Sequence, residues 1–213
     1  MTAREEILQN VQTALGRTAG QPPAAAPPAR IRIPEIAVAS RVSLFTERLE
    51  AVGGKVHLAA SRDEARDIVA GLIGTEGAVA SNAPLLEQAG ITRLQGVSSG
   101  HGDEGSLRAA CATAPFGITT ADFGLAETGS LVTRSSTEAR LLSLLPPVHI
   151  ALLPLGLLIT GLDELFSKVP LPAGDTSSLV IITGPSRSAD IEMILVRGVH
   201  GPRVVHVIVL EQE

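Results

Sequence analysis

The chain has 213 residues, a formal net charge of −5 and 45% hydrophobic residues, but only 2% aromatics and neither Trp nor Tyr. That length suits one domain with an extra arm, burying roughly 70% of the unfolded surface without staples. The acidic balance and scarce aromatics disfavour nucleic-acid binding, and the single Cys111 excludes a disulfide framework and any iron–sulfur cluster or zinc built from Cys ligands within one chain.

Thr2 to Glu5 has capping-box spacing, and Ile7, Leu8, Val11 and Leu15 share one helical face. An amphipathic helix is therefore expected over Ala3–Leu15, within an N-terminal segment 1–16. Residues 17–40 form a linker, rich in Pro and Ala through Arg17–Pro34. The helix beyond it must bury its stripe on its own domain, on a second copy or on another partner, so a homo-oligomer through this helix is one expectation. MTAREEILQN has no secretory apolar core.

In the domain 41–213, helices are expected over Ser43–Val52, Ser61–Ile73, a short stretch from Pro84, Asp103–Cys111, Glu138–Leu145, Leu162–Lys168 and Ser188–Val196. Strands are expected over Lys55–Ala59, Gly77–Ser81, Phe123–Ala126, Ser130–Thr133, His149–Leu153, Leu179–Thr183 and Val204–Leu210. Several strands are apolar on both faces. The fold class is therefore α/β: a mainly parallel sheet with helices on both faces and an inserted antiparallel hairpin. Leu141–Leu162 has the length of a membrane span, but Pro146, Pro147, Pro154, Gly156 and Gly161 interrupt it, so no span is expected and the protein should be soluble and cytoplasmic. Cys111, among alanines, reads as a small buried hydrophobe rather than a reactive thiol.

Two short apolar runs meet at Glu127-Thr128-Gly129-Ser130, a corner carrying a carboxylate and two hydroxyls. A carboxylate wedged between buried strands is costly without partners, which makes Glu127 a candidate catalytic group. A second constellation is Gly184-Pro185-Ser186-Arg187-Ser188, running from a strand into an expected helix with Asp190 in its first turn. Free N–H groups there, with Ser186, Ser188 and Arg187, would cradle a phosphate or carboxylate. The alternative is a simple helix cap, with Asp190 answering the macrodipole. His200, between Gly198 and Gly201, is a candidate acid or base, or an orienter of Glu127; equally it bonds only nearby backbone. Arg134 and Arg140 flank the hairpin exit, where pairing with Glu138 on the surface is favoured over clamping an anion. His149 and His206 read as core or edge residues. No His/Asp/Glu set has metal-ligand spacing, and neither a Walker loop, a dinucleotide fingerprint nor a G-x-S-x-G elbow is present.

Three segments, ITTADFGLAETGSLV (118–132), LLPPVHIALLP (144–154) and ITGPSRSADIEMILVRGVHGP (182–202), resemble in order and spacing the lactate utilization protein C family, whose domain is called LUD. The resemblance covers about half the chain and is to the stand-alone member. It makes 41–213 a LUD-type α/β domain with a fold similar to the ribose-5-phosphate isomerase, glucosamine-phosphate deaminase and CoA-transferase group. It implies a subunit required, with iron–sulfur partner proteins, for oxidising lactate to pyruvate; clusters belong to those partners, and this chain carries no cofactor. The matched positions are Asp122, Glu127, Thr128, Gly129, Ser130, Gly184, Pro185, Ser186, Asp190, His200 and Gly201. Two readings stay open. In one the chain is an assembly subunit. In the other it has a pocket for a small carboxylate or phosphorylated ligand, with Glu127 as nucleophile or general base by analogy with CoA-transferases.

Overall fold

Strands that are apolar on both faces need cover on both faces. In the computed structural model, which describes residues 2–18, 21, 34, 36–136, 138–170, 172–189 and 195–211, that cover is a helical layer on one side and a helix with a second sheet on the other. The chain runs α1 (Ala3–Ala14), α2 (Val38–Ala51), β1 (Lys55–Ala59), α3 (Arg62–Ile73), β2 (Ala78–Ala80), α4 (Pro84–Gln88), β3 (Val97–Ser98), α5 (Glu104–Thr113), β4 (Phe116–Thr120), β5 (Phe123–Leu125) and β6 (Ser130–Arg134). It continues through α6 (Arg140–Leu144), β7 (Val148–Pro154), β8 (Leu158–Ile159), α7 (Leu162–Lys168), α8 (Pro172–Asp175), β9 (Leu179–Ile182), β10 (Arg187–Ala189), β11 (Leu195–Arg197) and β12 (Val204–Leu210). Two compact units are distinguished, residues 1–31 and 32–213. In the first, Thr2 and Glu5 close the capping box of α1, a helix with no buried residue. No helix of the described residues is long and apolar enough to cross a membrane.

In the second unit, six strands form an all-parallel sheet in the order β1-β12-β7-β4-β2-β3. Period-two alternation sends Ile150, Leu152, Ile208 and Leu210 to one face, under Ala65, Val69 and Ile73 of α3 and Leu86 of α4. Ala151, Leu153, Val205, Val207 and Val209 point the other way, against Phe45 and Leu49 of α2. On that face lies a four-stranded sheet, β8-β5-β6-β9. The expected hairpin is its centre: β5 and β6 pair antiparallel, with Leu125 opposite Ser130. Cys111 is buried with Val79 and Leu142, as its alanine neighbours suggested.

One element differs from expectation. Arg187–Ala189 is not the start of a helix but β10, paired antiparallel with β11, and residues 190–194 between them lie outside the described set. A serine followed by acids imitates a helix start, but the segment pairs with Leu195-Val196-Arg197 as a two-stranded ribbon, a tertiary outcome that local propensity does not decide. Besides β10 and β11, the sequence reading lacks β3, β4, β8 and the short helix α8.

Gly129 shows why the hairpin corner needs glycine. Its φ is 64°, and a Cβ there would strike the backbone of α2 at Arg48 and Leu49. Gly129→Ala should cost about 3 kcal/mol from the left-handed conformation and the overpacking together, read as a lower urea midpoint at unchanged slope.

Buried imidazoles set the acid limit. His149 is fully buried; its Nε2 meets Thr119 Oγ1 at 2.8 Å, Nδ1 has no partner among the described residues, and burial lowers its pKa to about 4. His206 stacks on His57 with ring centroids 5.2 Å apart, and burial, then His57 and Lys55, lower its pKa to about 4. The unfolded chain binds protons on these rings from about pH 6.5, where the folded chain does not. Their stability contribution is therefore complete above that pH and is lost as pH falls toward 4, on the order of 3 kcal/mol for His149. A thermal-unfolding series should show melting temperature falling across that window, less steeply in His149→Gln.

Candidate functional site

In open α/β sheets a crevice opens at the carboxyl ends of strands, where successive connections leave to opposite faces. Here β2 is followed by α4, which packs on one face, whereas β4 is followed by β5, which belongs to the second sheet on the other. Between them lies a cavity of about 660 Å³, whose lining includes Arg62, Asn82, Thr120, Asp122, Arg134 and Pro154. Asn82 follows β2, Thr120 ends β4 and Pro154 ends β7; Arg62 opens α3 just beyond β1.

The charges of this cavity do not cancel locally. Asp122 accepts from Arg134 three times: Oδ2 takes the backbone N–H at 2.7 Å, and Oδ1 takes Nε at 3.0 Å and Nη2 at 2.8 Å. Both partners are sequestered, with side-chain exposures of 7% and 26%. Arg62 has no such counter-charge among the described residues, and its Nε is buried without a hydrogen-bond partner. A part-buried guanidinium on a cavity wall suits an oxyanion, which arginine can grip through its planar set of donors.

Behind the cavity wall sits Glu138, 4% exposed. Its Oε1 accepts from Ser81 Oγ at 3.0 Å, from Thr120 N at 2.8 Å and from Thr120 Oγ1 at 2.6 Å. Burial is the main reason its pKa lies above the usual carboxylate range, against the lowering effect of these donors. The surface pair expected between Arg134 and Glu138 side chains is thus replaced by Asp122–Arg134 at the cavity and a buried Glu138. Among the described residues no group of three or more His, Cys, Asp or Glu side chains is placed to hold a metal.

The residues singled out from the sequence fall in separate places. Of the candidate site residues named from the sequence, Asp122 and Arg134 line the large cavity. Glu127 is not wedged between strands: the corner turns Gly129 and Ser130 inward and leaves Glu127 and Thr128 exposed, with the Glu127 carboxylate lying against Gly161. Thr128, Ser130 and Thr183 form a hydroxyl chain with both links at 2.7 Å. Ser186 and His200 do meet, since Ser186 Oγ accepts the His200 backbone N–H at 3.3 Å and Gly201 packs on the Ser186 side chain. The His200 side chain lines another cavity of about 500 Å³ with Pro147 and Arg203, which precede β7 and β12. That cavity is therefore at the amino ends of the parallel strands, and Glu127 lines neither it nor the large one.

Arg187 donates to the carbonyl of Val52 and so caps the carboxyl end of α2, where a cation is favoured. Gly184, at φ 79°, packs against Val52. Ser188 lies in β10, so no helix amino terminus is formed at Ser186–Ser188 to cradle an anion; Asp190 lies outside the described residues. Arg62, Asn82, Thr120 and Glu138 were missed. Ser61-Arg62 passed as a helix start, and strand β4, whose end supplies Thr120, was not separated from the hairpin. The rule that ligands gather at strand carboxyl ends, applied to Ser81-Asn82, would have found one of them.

Fold and crevice together define an α/β protein with a parallel sheet and a ligand-sized cleft at its carboxyl edge. The family model for the LUD domain matches residues 42–210. Lactate utilization protein C of Halalkalibacterium halodurans is 32% identical over 227 aligned positions, covering 97% of each chain. The protein of that name from Bacillus licheniformis is 41% identical over 115 positions, 52% of this chain and 47% of that one. The chain belongs to the LUD domain family. A crystal structure of a DUF162 family protein from Deinococcus radiodurans shares the fold, with a TM-score of 0.65 and 22% identity over 83% of this chain and all of that one.

Asp122→Ala removes three hydrogen bonds and a counter-charge from a part-buried guanidinium. We expect a loss of about 3 kcal/mol, measured by chemical denaturation, and a smaller loss when Arg134 is removed as well.

Proposed function

We propose that this chain is a component of bacterial lactate utilization. In this reading it acts with iron–sulfur partner proteins in the oxidation of lactate to pyruvate, and its carboxyl-end crevice seats a small anionic ligand. The relatives named lactate utilization protein C support the pathway role. The observation that carries the ligand site is Arg62, a half-buried guanidinium with an unpartnered Nε on the wall of the 660 Å³ cavity. Asn82, Gln88 and Thr120 add neutral polar groups on the same wall, enough to orient a small carboxylate or a phosphorylated compound. Chemistry at Glu127, as nucleophile or general base of a CoA-transferase-like or isomerase-like enzyme, is disfavoured, since that side chain is exposed and lines no part of this cavity.

A thermal-shift series with lactate, pyruvate, CoA and nucleotides tests the reading. A ligand at a hundred times its dissociation constant adds about 2.7 kcal/mol of stability. The expected result is a shift with a small carboxylate or phosphate compound that disappears in Arg62→Gln, together with loss of growth on lactate when that variant replaces the native chain. A shift that survives Arg62→Gln, or one given by CoA and abolished by Glu127→Gln, would move the site elsewhere.

A further inference from the structure

Glu138 is buried at a place where a neutral residue would serve the architecture equally well. All three of its hydrogen bonds fall on Oε1, and a glutamine carbonyl could accept every one of them. The other oxygen, Oε2, is buried and has no partner among the described residues. Holding a carboxylate this way costs more than holding an amide or an acid. The side chain also touches two spaces. It lines a small cavity of about 140 Å³ with Ser81, Asn82 and His101, and through Thr120 it is bonded to the wall of the 660 Å³ crevice, which Asn82 also lines.

We propose that the crevice takes up its anion together with one proton, and that Glu138 is the group that receives it. This rests on the anionic ligand site proposed above. An anion entering beside Arg62 adds negative charge near a carboxylate that has already lost its water. Oε2, which no donor occupies, is the atom free to carry the proton, and Oε1 keeps its three donors in either state. The balance is simple: protein, anion and one solvent proton give a complex with Glu138 as the neutral acid.

The charged and titratable groups around Glu138 bias it in known directions. Asp122, on the far side of Thr120, favours the proton. Arg62 and Arg134 stand at the crevice wall, and His101 lies across the small cavity. Among the described residues, α5 presents Leu107 there, α6 presents Leu142, and Ala139 precedes α6 at the same wall. Burial outweighs the donors on Oε1, so the group already holds its proton to higher pH than a free glutamate. A bound anion extends that range.

The test is calorimetric titration of the full chain with pyruvate, and separately with inorganic phosphate, near neutral pH in two buffers of different ionisation enthalpy. The expected result is a buffer-dependent enthalpy that reports net proton uptake in the native chain and vanishes in Glu138→Gln, while the variant still binds the anion. Binding without proton uptake, or uptake that persists in Glu138→Gln, overturns the inference but leaves the anion site standing. Failure of both anions to bind the native chain overturns the site and the inference with it.

A ligand-free measurement separates these outcomes from a purely structural role. A raised folded-state pKa means stability that is present at low pH and lost as pH rises through that value. The melting temperature of Glu138→Gln relative to the native chain should therefore climb as pH rises above the ordinary glutamate range. A difference that does not change with pH would show that the folded and unfolded chains hold the same protons at Glu138, so that burial has not raised its hold on a proton, and would overturn the inference.

Discussion

The clasp between Asp122 and Arg134 closes the open end of the β5–β6 hairpin, the centre of the four-stranded sheet. The chain leaves β4 at Asp122, makes a full excursion through β5 and β6, and returns at Arg134. One carboxylate closes that excursion by taking both the backbone N–H and the guanidinium of the returning strand. Solvent is mostly shut out, so the pair acts in a medium where a lone charge would be heavily penalised and the matched geometry is correspondingly rigid. The crevice wall is defined by where those two residues stand.

The second sheet then inherits its position from contacts that only small residues permit. Gly129 lies directly on the α2 backbone, and Gly124 faces Leu153 and Leu158 side chains that would collide with any Cβ. With the hairpin corner seated on α2 and its open end clasped between Asp122 and Arg134, the chain on either side, at Thr120 and Glu138, has little freedom to relax. Arg62, on the crevice wall, and Glu138, behind it, each keep one buried polar atom with no hydrogen-bond partner among the described residues.

Much of the fold was legible because its signals are local. The short apolar runs at His149–Leu153 and Val204–Leu210, capping at Ser61 and the glycine corner at Gly129 each mark an element without help from distant residues, and β1, α7 and β12 have the limits read from the sequence. The exception is instructive: Ser186 to Val196 carries a helix-start pattern whose fate is decided by a partner strand, β11, supplied by the same segment. The site was less legible for a related reason. Glu127 and Glu138 are both glutamates near the hairpin, and nothing adjacent to either in the chain distinguishes them. Their difference comes from Ser81 and Thr120, donors contributed by two other strands. A polar motif announces a turn; burial of its side chain is a tertiary fact.

The sheet order has a consequence for how the polypeptide reaches its final form. β12 follows every other strand in the chain yet sits between β1 and β7, so β1 has no sheet neighbour until β12 arrives. A nascent chain on the ribosome must therefore keep β1, and the open side of β7, from pairing with something else while the rest is made. The closing step is the insertion of one apolar ribbon into a waiting slot, with a large loss of chain entropy and a late reward. In the cell, that interval is when chaperones would be most needed.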